Sequence, residues 1–432
     1  MTRSGSSDAP ENPENPENPG HTADPAPDPA HGPGAGTGSE ADGYEPLRRM
    51  APRSRDEAHR AATPLELFFD LCFVVAVAQA GAQLVHSLAE GHPATGLVGY
   101  CFVFFGVWWA WMNFTWFASA YDCDDVPYRI ATLVQIAGVL VYAAGVPRAF
   151  NENEWNVAVA GYLIMRLALT SQWLRAASAE RGRARAVALT YAAGIMLCQA
   201  GWVALLFAPQ GWRHWLFPIV VVAELLVPPF AERRRETPWH AHHIVERYGL
   251  FTLIVLGETM AASTVAVQSA VDEHKAVAEL LPIAAGGLLI IFSAWWIYFA
   301  VPAHERLISN RQALPWGYGH VLIFGSAAAI GAGMEVAVEH GAGVAHISSF
   351  AAGASVTVPT AVFLLTVWLL HARHFKHGTV QQLTLPLAAV AILGCTFAGG
   401  WAVFAAGLVA AATVAAGVIL SDRARTPLPV RA

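Results

Sequence analysis

The chain has 432 residues, 55% of them hydrophobic and 13% charged, with a mean hydropathy of +0.41 and a formal net charge of −6. A water-soluble domain carries about a quarter of its residues as charges. Half that density cannot cover a soluble protein of this size, so the lipid bilayer has to serve as much of its solvent. The 15 tryptophans agree, because indole is enriched where hydrocarbon meets the headgroup layer.

The first 58 residues stand apart. "ENPENPENPG" is a short tandem repeat, followed by "PAPDPAHGPGAGTGSEADG", and almost nothing in the stretch could build a core. Such composition cannot offset the entropy of ordering, and a disordered tail is expected. Its end turns basic, with Arg48, Arg49, Arg53, Arg55 and Arg60. No aromatic interleaving or fold motif supports nucleic acid as a partner, and beside a membrane span the run reads as an anchor facing the cytoplasm. The first apolar run begins near Pro64, and nothing resembles a cleavable signal peptide.

Runs long enough to cross about 30 Å of hydrocarbon at 1.5 Å per residue follow in order. They are 65–88, 95–118, 129–147, 156–174, 186–207, 214–230, 245–268, 280–300, 318–338, 348–371, 382–398 and 401–420. From Leu383 to Leu420 only length demands two passes, with a turn near Gly399 and Gly400; ten or eleven crossings are the alternatives. With the N-terminus inside, the inner loops carry Arg175, Arg181, Arg183, Arg185, Arg233, Arg234, Arg235, Arg306, Arg311, Arg373 and Lys376. The outer loops carry Arg148, Arg213 and Lys275, the asymmetry that the positive-inside rule requires. The fold expected is all-α, a polytopic membrane protein of about twelve helices with both termini cytoplasmic.

The two halves look alike. Glu66 stands opposite Glu246, Trp108 and Trp109 opposite Trp295 and Trp296, and Pro127 opposite Pro315, at offsets of 180, 187 and 188 residues. These matches predict two parallel six-helix repeats, 59–237 and 238–421, with a short tail over 422–432. In transporters built this way a substrate path runs between the halves. The five cysteines lie mostly in apolar runs without a CxxC pair and read as small buried hydrophobes.

An ionisable group inside hydrocarbon costs about 2.5 to 3.5 kcal/mol on insertion scales, so each one needs a partner or a task. Glu66 and Asp70 are four apart and share a face of the first span; two close carboxylates repel unless a cation sits between them. His240, His243 and Glu246 recur every three residues at the start of the seventh span, with Arg247 beside them to pair with a carboxylate. Imidazole and carboxylate suit zinc, iron, copper or nickel, but H-x-x-H-x-x-E is not a zincin pattern; a proton-sensitive cluster is an alternative, and a solvated, interfacial helix start is the plainer reading. Glu258 lies about three turns deeper, with Gly257 placed to admit a neighbouring helix. Arg166 in the fourth span is the candidate counter-charge for a buried glutamate, while Glu224, His320, Glu335, Asn113 and Gln135 add polar capacity. Asp122, Asp124 and Asp125 are too closely spaced for an EF-hand and read as a helix-capping turn.

"PLELFFDLCFVVAVAQ", "WWAWMNFTWFASAYDCDDVPYR", "HHIVERYGLFTLIVLGET" and "WGYGH" together resemble the bacterial low temperature requirement protein A (LtrA) family, from about Thr63 to beyond Met334. The resemblance implies a polytopic protein of the bacterial inner membrane, associated by the family name with growth at low temperature. It places signature polar positions at Glu66, Asp70, Asn113, Asp122, Asp124, Asp125, Arg129, His243, Glu246, Arg247, Glu258 and His320. No chemistry or cofactor comes with it.

The function expected is a secondary transporter or channel-like protein. In it Glu66, Asp70 and Glu258 bind a proton or cation, Arg166 supplies a counter-charge, and His240, His243, Glu246 and His320 form an inner gate or a metal site. Its partners are the bilayer and a small ion or molecule. A membrane-embedded metal, haem or lipid-modifying enzyme is the second reading, and a sensor or scaffold the third.

Overall fold

A computed structural model describes residues 47–54, 61–272, 277–376 and 378–425. Among these residues there is no strand. The chain forms twelve long helices: α1 (Pro64–Ala89), α2 (Pro93–Tyr121), α3 (Val126–Asn151), α4 (Asn156–Ala179), α5 (Gly182–Phe207), α6 (Gln210–Ala231), α7 (Ala241–Asp272), α8 (Val277–Phe299), α9 (Asn310–Gly341), α10 (Ser349–Phe375), α11 (Thr379–Cys395) and α12 (Ala402–Arg425).

Ten helical stretches among the described residues are long and apolar enough to cross a membrane. One of them, Thr379–Asp422, is 44 residues long, far more than a single crossing needs. It breaks where Gly399 takes φ 61°, a backbone region that only glycine enters freely, and α11 then folds back on α12. The long helix outside the ten is α7, whose first two turns carry His242, His243, Glu246 and Arg247.

Local signals set the helix starts. Thr63 caps α1 in a reciprocal box: its hydroxyl accepts from the Glu66 N–H (3.3 Å), and the Glu66 carboxylate accepts from the Thr63 N–H (2.8 Å). Pro64 at the first helical position needs no N–H partner. The expected acidic turn is observed before α3. Asp125 accepts from the Tyr128 N–H (3.0 Å), Asp122 from the Asp124 N–H (3.0 Å), and Asp124 takes two hydrogen bonds from Arg129 at 2.8 Å each. Leu47–Ser54, expected within the unstructured tail, docks on this turn. Met50 is buried, the Arg48 N–H donates to Asp125 (2.8 Å), and the Arg53 N–H donates to Ala120 O (2.9 Å). The rest of that tail, with Arg55 and Arg60, lies outside the described residues.

The bundle is inside out relative to a soluble protein. Leu197, Phe207 and Phe397 are exposed, whereas Glu66, Asp70, Arg166, Glu224 and Arg247 are buried. Small residues let helices approach closely without help from water. A Cβ at Gly161 of α4 would stand 2.2 Å from the Tyr142 nitrogen of α3, and one at Gly286 of α8 would stand 2.4 Å from Val403 O of α12. In the first half α1 packs on α3, α3 on α4, α4 on α5 and α5 on α6. In the second, α7 packs on α9, α9 on α10, α10 on α11 and α11 on α12. The packing is not the same throughout. α8 closes on α12 through Gly286 and Gly407, while α2 and α6 stand apart and a cavity lies between them.

Gly161→Ala is expected to lower stability in detergent by about 1–3 kcal/mol through overpacking. Gly81→Ala, where a Cβ meets nothing within 4 Å, provides the neutral control in the same thermal unfolding series.

Candidate functional site

Two buried charge clusters and one histidine cluster hold the polar groups of the spans. The first joins α1 to α7. Arg247 donates to Asp70 through Nε (2.9 Å) and through a terminal nitrogen (2.5 Å), and its other terminal nitrogen lies 3.1 Å from Glu66. His243 Nε2 is 3.2 Å from Glu66, and Trp111 Nε1 donates to Asp70 (2.7 Å). The cation required between the two carboxylates is therefore Arg247. Glu66 meets His243 and Asp70 meets Arg247 at the same separation of 177 residues, so α1 and α7 run parallel and in register.

His240 lies at the start of α7, where its ring accepts from the His243 N–H (3.3 Å). Glu246 is half-buried with Oε2 enclosed and without a hydrogen bond. His320 is elsewhere, on α9. Its Nδ1 faces Trp316 O at 2.7 Å, its Nε2 faces the Tyr298 hydroxyl at 3.1 Å, and its ring lies 5.3 Å from that of His371. His371, which the sequence analysis did not single out, sits in a π-helical turn of α10 (Trp368–Ala372) with both ring nitrogens buried and unpartnered. Among the described residues no three of His, Cys, Asp and Glu gather where one metal ion could join them. His240 and His243 adjoin at the start of α7, whereas His320 lies beside His371.

The third cluster lies wholly in the first half. Glu224 of α6 is fully buried and accepts five hydrogen bonds. Its Oε2 takes Trp109 Nε1 (2.8 Å) and an Arg166 terminal nitrogen (2.8 Å); its Oε1 takes the Tyr162 hydroxyl (3.2 Å), Gln199 Nε2 (3.1 Å) and Trp202 Nε1 (3.2 Å). The partner of Arg166 is thus Glu224, not Glu258. Arg166 stands ten residues into α4, about 15 Å along the helix, near the middle of the span. Its Nε and second terminal nitrogen are buried without partners. Glu258 is half-buried with no hydrogen bond or ion pair among the described residues, and no helix lies against Gly257.

Trp202 and Tyr162 also face empty space. A void of about 30 Å³ lies against Phe105, Tyr142, Tyr162, Trp202 and Phe217, room for about one water. Beyond it, a cavity of about 630 Å³ opens at the end where α4 and α6 begin, lined among others by Phe102, Trp155, Trp202, Arg213, His214 and Phe217. Phe102 stacks on Phe217 at 3.9 Å to form the collar between them. Toward the opposite end, Asn113 donates to Trp109 O (2.8 Å) and lines a void of about 20 Å³ with Glu232, Thr237 and Asn310. Burial raises the Glu232 carboxyl above its ordinary range, against the pull of hydrogen bonds from Thr237, Tyr191 and Asn310.

These features define a multi-pass helical membrane protein that keeps ion pairs inside its spans and has a cavity at one end of its first six helices. The chain belongs to the bacterial low temperature requirement A protein (LtrA) family, which it matches over residues 61–420. It is also similar to Uncharacterized protein RA0937 of Rhizobium meliloti (strain 1021), 26% identical over 294 residues, which cover 64% of this chain and 69% of that protein.

Removing one partner of a buried ion pair costs about 3–5 kcal/mol. Arg247→Met is expected to cost more than Asp70→Asn, because the guanidinium serves two carboxylates; equal losses in a detergent unfolding series would contradict that geometry. Outside the spans, burial opposes ionisation of Asp125, but hydrogen bonds from Arg175 and from the Arg48 and Tyr128 N–H groups outweigh it and hold the carboxyl at about 2. This acid is depressed on folding, so its stabilisation is present above its ordinary value near 3.9 and is lost as pH falls from there toward about 2. Asp125→Asn should flatten that limb of the stability–pH curve.

Proposed function

We propose that this protein is a secondary transporter or channel-like protein for a small ion, with its path through the first six-helix half and Glu224 and Arg166 as the ion-handling pair. The observation that carries the reading is the approach of the 630 Å³ cavity to a charge buried in mid-span. Trp202 lines both voids and donates to Glu224. A carboxylate and a guanidinium at this depth are expensive for a merely structural bundle. A small space against Tyr162 and Trp202, two of the donors to Glu224, supports a path on the cavity side. In this reading the α1–α7 ion cluster is a latch between the halves rather than the ion site, and Glu258 has no assigned role.

The two six-helix halves are proposed as duplicates on the strength of the recurring packing order and the in-register contact of α1 with α7. The proposed orientation places the start of α1 at the cytoplasmic face of the bacterial inner membrane. Arg48, Arg53 and Arg175, which engage the α2–α3 turn at that end, support it. Any link to growth at low temperature would follow from altered ion balance in cold membranes.

Purified protein in liposomes loaded with a pH-sensitive dye should move protons when sodium, potassium, chloride or nitrate gradients are imposed one at a time. Glu224→Gln and Arg166→Gln should reduce that movement to the level of empty vesicles, while Glu258→Gln leaves it unchanged. Wild-type vesicles that behave as empty ones under every gradient would end the transport reading.

A further inference from the structure

The five groups around Glu224 are all donors: two indoles, a phenol, an amide and a guanidinium. A polar pocket built to hold a cation would present oxygen atoms instead. We infer that this cage is a binding site for a small monovalent anion, plugged at rest by the protein's own Glu224 carboxylate. The inference rests on the transport reading for its path and goes beyond it in naming the substrate class.

Three further observations support it. Arg166 keeps Nε and a terminal nitrogen buried and unpartnered, so the cage has donors to spare after Glu224 is satisfied. The cavity leading to it is lined by Arg213 and His214, and no Asp or Glu appears among its described lining residues. Arg213 spends Nε and one terminal nitrogen on the carbonyls of Ala208 and Leu206, which fixes the guanidinium at the rim. A basic rim with apolar walls concentrates anions. Gln199 donates its Nε2 to Glu224 Oε1 (3.1 Å), and its own Oε1 is buried without a partner.

That last atom suggests how the plug is lifted. A proton carried in through the cavity and bound by the Glu224 carboxylate creates an O–H, and a flip of the Gln199 amide, whose Nε2 now donates to that carboxylate, would bring its unpartnered Oε1 round to accept it. The carboxyl then no longer neutralises Arg166, and an incoming anion restores the charge that the proton removed. One proton and one anion therefore enter the cage together. The titratable and charged groups facing Glu224 are Arg166 and Tyr162 from α4 and Cys198 from α5, and α2 contributes only the neutral Trp109.

Bromide is a suitable probe, because it quenches indole fluorescence on contact and two cage donors are indoles. The full chain in detergent is titrated with sodium bromide against sodium gluconate at constant ionic strength. Wild type at neutral pH should show only the linear quenching of its exposed tryptophans, and a saturable component should emerge as the pH is lowered. Glu224→Ala, checked for folding by gel filtration and thermal melting, should bind bromide saturably at every pH. Arg166→Gln in that background should abolish the binding. If the alanine variant does not fold, Glu224→Gln keeps the side-chain shape without the charge and should lose the pH dependence. A folded Glu224 variant with only linear quenching overturns the inference, as does saturable quenching that survives Arg166→Gln. Saturable binding without ion movement in liposomes would leave the anion site standing and remove the transport reading; movement driven by a cation gradient, with no bromide bound, would do the reverse.

Discussion

A charge inside a bilayer has no water to answer it, and the arrangement of this protein follows from that constraint. Each ionised side chain that the spans bury has to meet its complement on another helix. Arg247 does so twice over, against Glu66 and Asp70, and thereby ties α7 to α1. Arg166 does so against Glu224 and ties α4 to α6. Helix association here does not draw on the hydrophobic effect, because lipid tails are as apolar as leucine. Close backbone approach at Gly161, Gly286 and Gly407 and these few ion pairs carry the specificity in its place.

The two clusters differ in what surrounds them. The α1–α7 cluster is closed: all four side chains are fully buried, and each carboxylate meets the same guanidinium. The Glu224 cage is saturated on the carboxylate side and unsaturated on the Arg166 side, and it borders empty space. A closed cluster suits holding, whereas an unbalanced one beside a cavity suits exchange. The difference between the halves has a plain packing origin. Gly286 and Gly407 let α8 and α12 touch, while Phe102 and Phe217 meet ring to ring between α2 and α6 and hold those helices apart. Trp108 and Trp109 are correspondingly buried, whereas Trp295 and Trp296 of α8 are exposed.

Much of the fold was legible in the sequence. The helix limits lie within five residues of the hydropathy runs except at α9, which begins eight residues early at Asn310; the Asp122–Asp125 turn caps α3 as its spacing implies, and Gly399 breaks the final apolar stretch. Thr63 and Glu66 also form an S/T-x-x-E box that the spacing displays, although Glu66 was first read only as an intramembrane acid. Arg166 was legible as a buried charge in need of a partner, but Glu224, Glu258 and Glu66 were all eligible. Which one it meets depends on the rotation of α4 and α6 about their axes. His371 gave no sign at all, because its setting comes from a π turn and from Tyr298, Trp316 and His320 on two other helices.

By itself, then, the sequence determined that this chain lives in a membrane, where its helices begin and end, and which side chains would be costly there. Those properties depend on composition and on contacts within a turn or two. Only the tertiary structure decided the pairings, the cage around Glu224 and the cavity that reaches it. They arise from residues tens to nearly two hundred positions apart, and no local pattern records the angle at which two helices face one another.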